Sequence, residues 1–330
     1  MKPVYLIGTG AYLPEKVLTN FDLERTLDTS DEWIVTRTGI RERRVAAPDQ
    51  AASDLALPAC RDALEMAGLK PDDVDVILLA TITPDTHCPA GANWLQAKLN
   101  APRALTFDVA AACCGFIFGL HVADKYLQAG FCRNVLVVAS EVLTRATDWT
   151  DRSSCILWGD GAGAAVLSIE SRGSAHEMLS VHAHTDGSQG ENLLLPGGGS
   201  RVTPISHESV DQKRHTIKLI EAAASLRVAV KYFAESVQEA LDVNRVALED
   251  IAWFIPHQAN IRIIQALATR LGVGMDRFYM TIDRYGNISS ASCAIALDEA
   301  ARTGALRPGD LVCLTAFGGG LTWASALVRW

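Results

Sequence analysis

Shifted against itself by 174 residues, the sequence lays one stretch of pattern over another without a gap. Gly130 then falls on Gly304, Asp124 on Asp298 and Cys113 on Asn287. The same shift lays the apolar run Val76 to Thr81 over Asp250 to Ile255. Strand, helix, strand and helix aligning at one offset mark an internal duplication. Two βαβ-rich halves, each a mixed sheet with buried central helices, fit this better than a solenoid. We therefore expect an α/β fold divided into an N-terminal half, 1–173, and a C-terminal half, 174–330. With 49% hydrophobic residues, the 330-residue chain can fill a large core.

The first half turns on Phe107 to Gly130. A β-type entry (Leu105, Phe107, Val109) passes through three alanines to Cys113 and Cys114. From Phe116 the apolar residues recur at helical spacing, at Leu120, Ala123 and Leu127, and Gly130 suits a left-handed cap. Both cysteines thus sit where a strand hands over to a helix N-terminus. The helix dipole and free N–H groups there favour a thiolate, so a nucleophile is expected. The plain alternative is two small core residues, free cysteine being among the most buried types.

A formal net charge of −8 removes the electrostatic basis for general nucleic-acid binding, though not for a local basic patch. No apolar run is long enough to insert in a membrane, and the residues from Met1 to Gly8 read as a strand, not a signal peptide. The eight cysteines form no Cys-x-x-Cys pair or compact Cys/His cluster. No metal site is expected, and the thiols read as those of a reduced, cytoplasmic protein.

In chain order, the pattern predicts a strand over Val4–Thr9 and a capped helix after Ser30 that puts Trp33 and Arg37 on one face. A helix over Asp54–Met66, a strand over Val74–Ala80, a helix over Ala90–Leu99 and a strand over Val135–Ala139 follow. Cys155–Ile169 reads as containing a Gly-rich, hairpin-like turn. The second half is expected to place strands at Ile251–Ile255, Phe278–Ile282, Leu311–Thr315 and Leu321–Arg329. Its helices are expected at Asn260–Leu271 and Asn287–Thr303. Between the halves, Thr185–Gln212 is rich in Gly, Ser and His, and reads as a surface segment suited to a lid or channel wall.

Two further segments carry chemistry. His257 lies just past a strand in Pro-His-Gln-Ala-Asn, and Asn287 takes the place equivalent to Cys113. Taken singly, His257 reads as a structural histidine and Asn287 as a helix cap. A pseudo-two-fold axis changes that reading, because it brings both helix starts to the centre of the molecule. Thiol, imidazole and carboxamide then converge. Phe317-Gly318-Gly319-Gly320 adds backbone N–H groups able to approach a substrate oxygen closely.

With Ala-Ala-Cys-x-Gly-Phe, Asp-Glu-Trp-Ile-x-x-Arg-Thr-Gly-Ile, Gly-Asp-Gly-Ala-Gly-Ala, Gly-Asn-x-Ser and Phe-Gly-Gly-Gly-Leu-Thr-Trp, these motifs span Gly8 to Trp330. Together they resemble β-ketoacyl-acyl carrier protein synthase III, the condensing enzyme that starts type II fatty-acid synthesis. Gly8-Thr9-Gly10 has no third glycine in dinucleotide-binding register, so a Rossmann fingerprint is discounted. The resemblance implies a thiolase-like fold layered α-β-α-β-α, and a homodimer. It implies that Cys113 takes an acyl group from acyl-CoA, and that malonyl-acyl carrier protein then loses CO2 and attacks the acyl-cysteine. His257 and Asn287 would stabilise the enolate, and the N–H groups of Cys113 and Gly319 the acyl oxygen. The CoA thioester is a substrate, and no metal or other cofactor is implied.

By the same resemblance, Trp33 and Arg152 would sandwich the CoA adenine, and Arg37 would meet its pyrophosphate. Arg227, Arg262 and Arg270 would dock the acidic carrier protein. Cys88 stands where the family often carries a phenylalanine that crosses the dimer interface and floors the partner's acyl pocket, so medium or branched primers are expected. The stretch Ile220 to Arg227 departs from the family by lacking its glycine and, at Ala223, its asparagine. That departure keeps open a specialised acyltransferase of secondary metabolism or cofactor synthesis. A non-catalytic thiolase-fold partner subunit is the alternative of a different class.

Overall fold

The computed structural model describes residues 2–173, 176–202, 205–219 and 222–330, with the backbone alone for 222–227. Arg227 and the altered 220–227 stretch therefore lie outside the described side chains, and the division at 173/174 abuts residues that are not described. Nine strands form one sheet: β1 (Val4–Tyr12), β2 (Val76–Ala80), β3 (Leu105–Val109), β4 (Asn134–Val142), β5 (Asp160–Ser168), β6 (Glu177–Thr185), β7 (Ile251–Pro256), β8 (Leu311–Gly318) and β9 (Thr322–Arg329). Their spatial order is β7-β8-β9-β6-β1-β5-β4-β2-β3. The longer helices are α1 (Asp31–Thr38), α2 (Ala52–Ala67), α3 (Gly91–Leu99), α4 (Gly115–Gln128), α5 (Ala222–Asn244), α6 (Ile261–Leu271) and α7 (Ala291–Arg302).

The sheet repeats itself about the seam where β1 meets β6. Outward from that seam, β1-β5-β4-β2 and β6-β9-β8-β7 both run antiparallel, antiparallel, then parallel. The first half ends in β3, parallel to β2. The second ends in a single parallel bridge between Phe254 and Phe278. A strand over Phe278–Ile282 is therefore not formed. Short helical turns at Met275–Arg277 and Ile282–Tyr285 bracket the segment and leave no room to extend the ladder. Gly130 and Gly304, which set the 174-residue shift, both adopt left-handed backbone, at φ +73° and +72°.

Strand alternation sets the layers. Val76, Leu78 and Ala80 of β2 join a central core, while Ile77 and Leu79 join an outer one beneath α2 and α3. On β8, Val312, Leu314 and Ala316 face the central core, whereas Leu311 and Cys313 face α5 and α6. The central core holds Phe116, Leu120 and Leu127 of α4 together with Ile295 and Leu297 of α7. Both helices thus lie between the halves of the sheet, which gives the five layers α-β-α-β-α.

The Gly-rich run is not a turn but the interior of β5, paired on both sides with β1 and β4. Its glycines make room for α7. A Cβ on Gly163 would fall 2.5 Å from the Ala294 Cβ. Asp160 is buried and accepts from the Ala46 and Thr144 amides at 2.8 and 2.9 Å, so its role is structural. Gly163→Ala should destabilise the fold by roughly 1–3 kcal/mol through overpacking. Thermal denaturation checks this, and an unchanged midpoint would contradict the packing described.

The segment after β6 is pinned at its start by reciprocal Asp186–Leu321 backbone hydrogen bonds. It closes on itself where residues 193–194 pair with 218–219. Its Leu193, Leu194, Leu195 and Ile217 wall a cavity over the helix starts.

Candidate active site

After β3 the chain enters a single helical turn, Ala112–Cys114, before α4 begins. Ala112 has φ +44°, a left-handed conformation costing an L-residue about 1–2 kcal/mol. Its counterpart under the 174-residue shift, Gly286, has φ +67°. This turn delivers Cys113 to the wall of a cavity of about 300 Å³, shared with Trp158, Ser289, Gly319 and Thr322. Cys113 keeps 7% exposure, whereas Cys114 has none and packs into the central core. Gly318 allows the close fit, since a Cβ there would meet the Cys113 amide nitrogen at 2.8 Å.

Burial pushes the Cys113 thiol up to about 11. The Ser289 hydroxyl and the backbone amides of Cys113 and Gly319 pull the other way, and nearby Glu141 adds to the rise. The expected thiolate therefore has burial set against it. Burial of the sulfur opposes the charged form that the helix terminus favours.

Ser289 is the meeting point of the three expected groups. Its hydroxyl donates to Cys113 Sγ at 3.7 Å, and its amide donates to Asn287 Oδ1 at 2.9 Å. Its backbone also bears on the His257 imidazole, opposing the burial that drives that ring down to about 3. His257 is therefore neutral, and its Nδ1 is buried without a hydrogen-bond partner. The amide of His257 is anchored to the Thr315 carbonyl at 2.8 Å.

Asn287 does not start a helix, as α7 begins only at Ala291. Backbone bonds from Asn287 to Leu157 (2.8 Å) and from Gly159 to Asn287 (3.0 Å) hold it in an extended bridge instead. With Oδ1 taken by Ser289, the Asn287 Nδ2 is left as the donor. Neither His257 nor Asn287 lines the cavity itself. Both contact Ser289, which does line it and was not among the sequence candidates. Nor was Glu141, a fully buried acid on β4 that accepts from Thr81 Oγ1 (3.2 Å), the Ile82 amide (3.1 Å), Thr83 Oγ1 (2.9 Å) and Ser290 Oγ (2.9 Å). The signal for Glu141 was a lone carboxylate in the otherwise uncharged run Val135 to Leu143.

Models of 3-oxoacyl-(acyl-carrier-protein) synthase III match residues 107–187, and its C-terminal part residues 241–330. A β-ketoacyl-(acyl-carrier-protein) synthase III from Caldanaerobacter subterraneus is 50% identical over 326 residues, covering 98% of this chain and 97% of that protein. The chain belongs to the β-ketoacyl-acyl carrier protein synthase III family. The crystal structure of a synthase III from Aquifex aeolicus superposes with a TM-score of 0.90 at 42% identity, covering 99% of this chain and 100% of that one. A priming β-ketosynthase from a polyketide biosynthetic pathway superposes at 0.89 with 36% identity, covering 99% and 96%.

In this synthase III chain the residues expected at the CoA site come together. The guanidinium carbons of Arg37 and Arg152 lie 4.4 and 4.9 Å from the centre of a Trp33 ring. Arg262 and Arg270 are exposed on α6. Cys88 is exposed in the loop after β2 and does not line the cavity of its own chain.

Proposed function

We propose that this chain condenses an acyl-CoA primer with malonyl-acyl carrier protein, giving a 3-oxoacyl-acyl carrier protein and initiating fatty-acid synthesis. The observation that carries this reading is the convergence of Cys113, His257 and Asn287 on Ser289. Cys113 Sγ attacks the acyl-CoA carbonyl, and the carbon–sulfur bond to CoA breaks. The amides of Cys113 and Gly319, already directed at Sγ, receive the oxygen's charge. Malonyl carrier protein then loses CO2, and the electron pair moves into a thioester enolate. Asn287 Nδ2 and a ring N–H of neutral His257 stabilise that enolate oxygen. The new carbon–carbon bond forms as the Cys113 sulfur leaves. Every bond change is an acyl transfer or a decarboxylation, so no metal or redox cofactor has a task.

The flat indole of Trp33 and the Arg152 guanidinium suit the CoA adenine, and Arg37 its pyrophosphate. Arg262 and Arg270, exposed on α6, offer a basic face to the carrier protein, despite the net charge of −8. The active form is a homodimer. β3 is the last strand of the sheet, and Leu105 on it and Trp94 on α3 are 45% and 42% exposed. Such an open apolar edge is covered by pairing with a second copy. Among the described residues no helix is long and apolar enough to cross a membrane, and we place the enzyme in the cytoplasm.

The altered 220–227 stretch and the likeness to a polyketide priming synthase favour one second reading, a specialised primer in secondary metabolism. The intact Cys113, His257 and Asn287 speak against a non-catalytic subunit. Assays with a panel of acyl-CoAs and malonyl carrier protein test the function and its primer together. With Cys88 in place of a phenylalanine, each added CH2 buried is worth about 0.8 kcal/mol, roughly fourfold in binding. Medium or branched acyl-CoAs should then work at least as well as acetyl-CoA, and Cys88→Phe should narrow the enzyme toward acetyl-CoA. A steep fall in kcat/KM from acetyl- to hexanoyl-CoA would show that Leu143, Trp158 and Ile217, which pack together beside the cavity, fill the space instead.

A further inference from the structure

Glu141 is the one charged residue in β4, and it has no solvent exposure. Its carboxyl joins two distant parts of the chain. Oε2 accepts from Thr81 Oγ1, the Ile82 amide and Thr83 Oγ1 at 3.2, 3.1 and 2.9 Å. Both threonine hydroxyls are themselves fixed, because the Thr83 amide donates to Thr81 Oγ1 and the Val142 amide to Thr83 Oγ1. On the other side, Oε1 lies 2.9 Å from Ser290 Oγ, a hydroxyl that also reaches the Ala80 carbonyl at 3.2 Å.

Each part carries a wall of the acyl cavity. Ile82 lines it and packs with Leu143, Trp158 and Ile217. Ser290 follows Ser289, which lines the cavity and donates to Cys113 Sγ. Gly115, the first residue of α4, fits into the same junction. A Cβ there would lie 2.9 Å from the Ala80 Cβ and 3.2 Å from the Ser290 Cβ. The end of β2, the start of α4 and the approach to α7 thus meet beside one carboxyl.

The internal duplication gives this place a counterpart. The 174-residue shift lays Glu141 on Thr315 and Thr83 on His257. Strand register agrees, since Ala80 pairs with Ala139 and Phe254 with Cys313. In the second half the Thr315 carbonyl anchors the His257 amide. In the first half the Glu141 side chain takes over the anchoring, and reaches Ser290 as well.

We propose that Glu141 is a positioning residue for acylation, clamping the Ile82 wall and the Ser289–Ser290 turn at a fixed separation across Cys113. The role is geometric, so a neutral group of the same shape serves. A glutamine oxygen in place of Oε2 accepts from the same donors, and its NH2 donates to Ser290 Oγ. The Ser290 hydrogen then goes to the Ala80 carbonyl. Leucine fills similar space and holds neither side.

This role rests on the proposed acylation of Cys113. Single-turnover acylation by acetyl-CoA and by butyryl-CoA, read as the mass of the Cys113 peptide, tests it on protein kept well below its melting temperature. Glu141→Leu should slow acylation at saturating acyl-CoA by roughly 10- to 100-fold, the cost of a misplaced reacting group. It should also change the acetyl-to-butyryl rate ratio by about threefold or more, because Ile82 shifts in the pocket. Half-saturation should stay within about twofold of wild type, since Trp33, Arg37 and Arg152 are not held by the clamp. Glu141→Gln should restore the ratio and a rate within about threefold of wild type. A Glu141→Leu protein that melts lower yet acylates at the wild-type rate and ratio has lost stability alone, and the proposal fails. Folded Glu141→Gln as slow as Glu141→Leu overturns it too, because charge and not shape would then matter. Should Glu141→Leu not fold, Thr83→Val and Ser290→Ala, which cut one arm each, decide. A changed ratio in the first and a slower rate in the second support the clamp, and wild-type behaviour in both overturns it. Wild-type protein that takes no acyl group from either CoA overturns the proposed function itself, and this role with it.

Discussion

His257→Ala and Asn287→Ala should each lose decarboxylative condensation by about 100- to 1000-fold while still forming acyl-Cys113. The division follows from what each group can do. His257 is held neutral by burial, and Asn287, with Oδ1 engaged by Ser289, keeps its Nδ2 as a donor suited to an enolate oxygen. The Cys113 sulfur is met instead by Ser289 and by the amides of Cys113 and Gly319. Acyl-enzyme formation and product formation should be followed separately, by peptide mass and by release of CO2 from malonyl carrier protein. If both variants fail to acylate, His257 is the base for the thiol and the assignment of roles is wrong.

Cys113→Ala should abolish acyl transfer, whereas Cys114→Ala should leave it largely intact. The two thiols are adjacent but opposite in surroundings. Cys113 lines the cavity, and Cys114 is sealed among Phe116, Leu120 and Ile295 in the central core, its thiol pushed well above the usual range by burial. Iodoacetamide should therefore label Cys113, slowly at neutral pH and faster as pH rises, and acyl-CoA should protect it. Preferential, protectable labelling of Cys114 would contradict the assignment.

Much of this arrangement is written locally in the sequence. The caps at Ser30, Gly130 and Gly304 depend on neighbours in the chain, and all three form. The duplication was legible because a 174-residue shift preserves both period and cap. Glycines 159, 161 and 163 were misread because a close approach by another element leaves the same local mark as a turn. The burial that opposes a Cys113 thiolate was hidden for a related reason. The helix start is visible in the sequence, but the depth at which the fold buries it is not. Ser289 and Glu141 escaped notice because their importance lies in contacts spanning 176 and 149 residues, to Cys113 and Ser290 respectively.

The central claim is that Cys113 carries the acyl group between the two substrates. The most direct measurement is to incubate the protein with labelled acyl-CoA, map the modified peptide, and then add malonyl-acyl carrier protein. The label should appear on Cys113 alone and move, with release of CO2, to a 3-oxoacyl carrier protein. Label on another residue, or label on Cys113 that malonyl carrier protein does not discharge, would contradict the account.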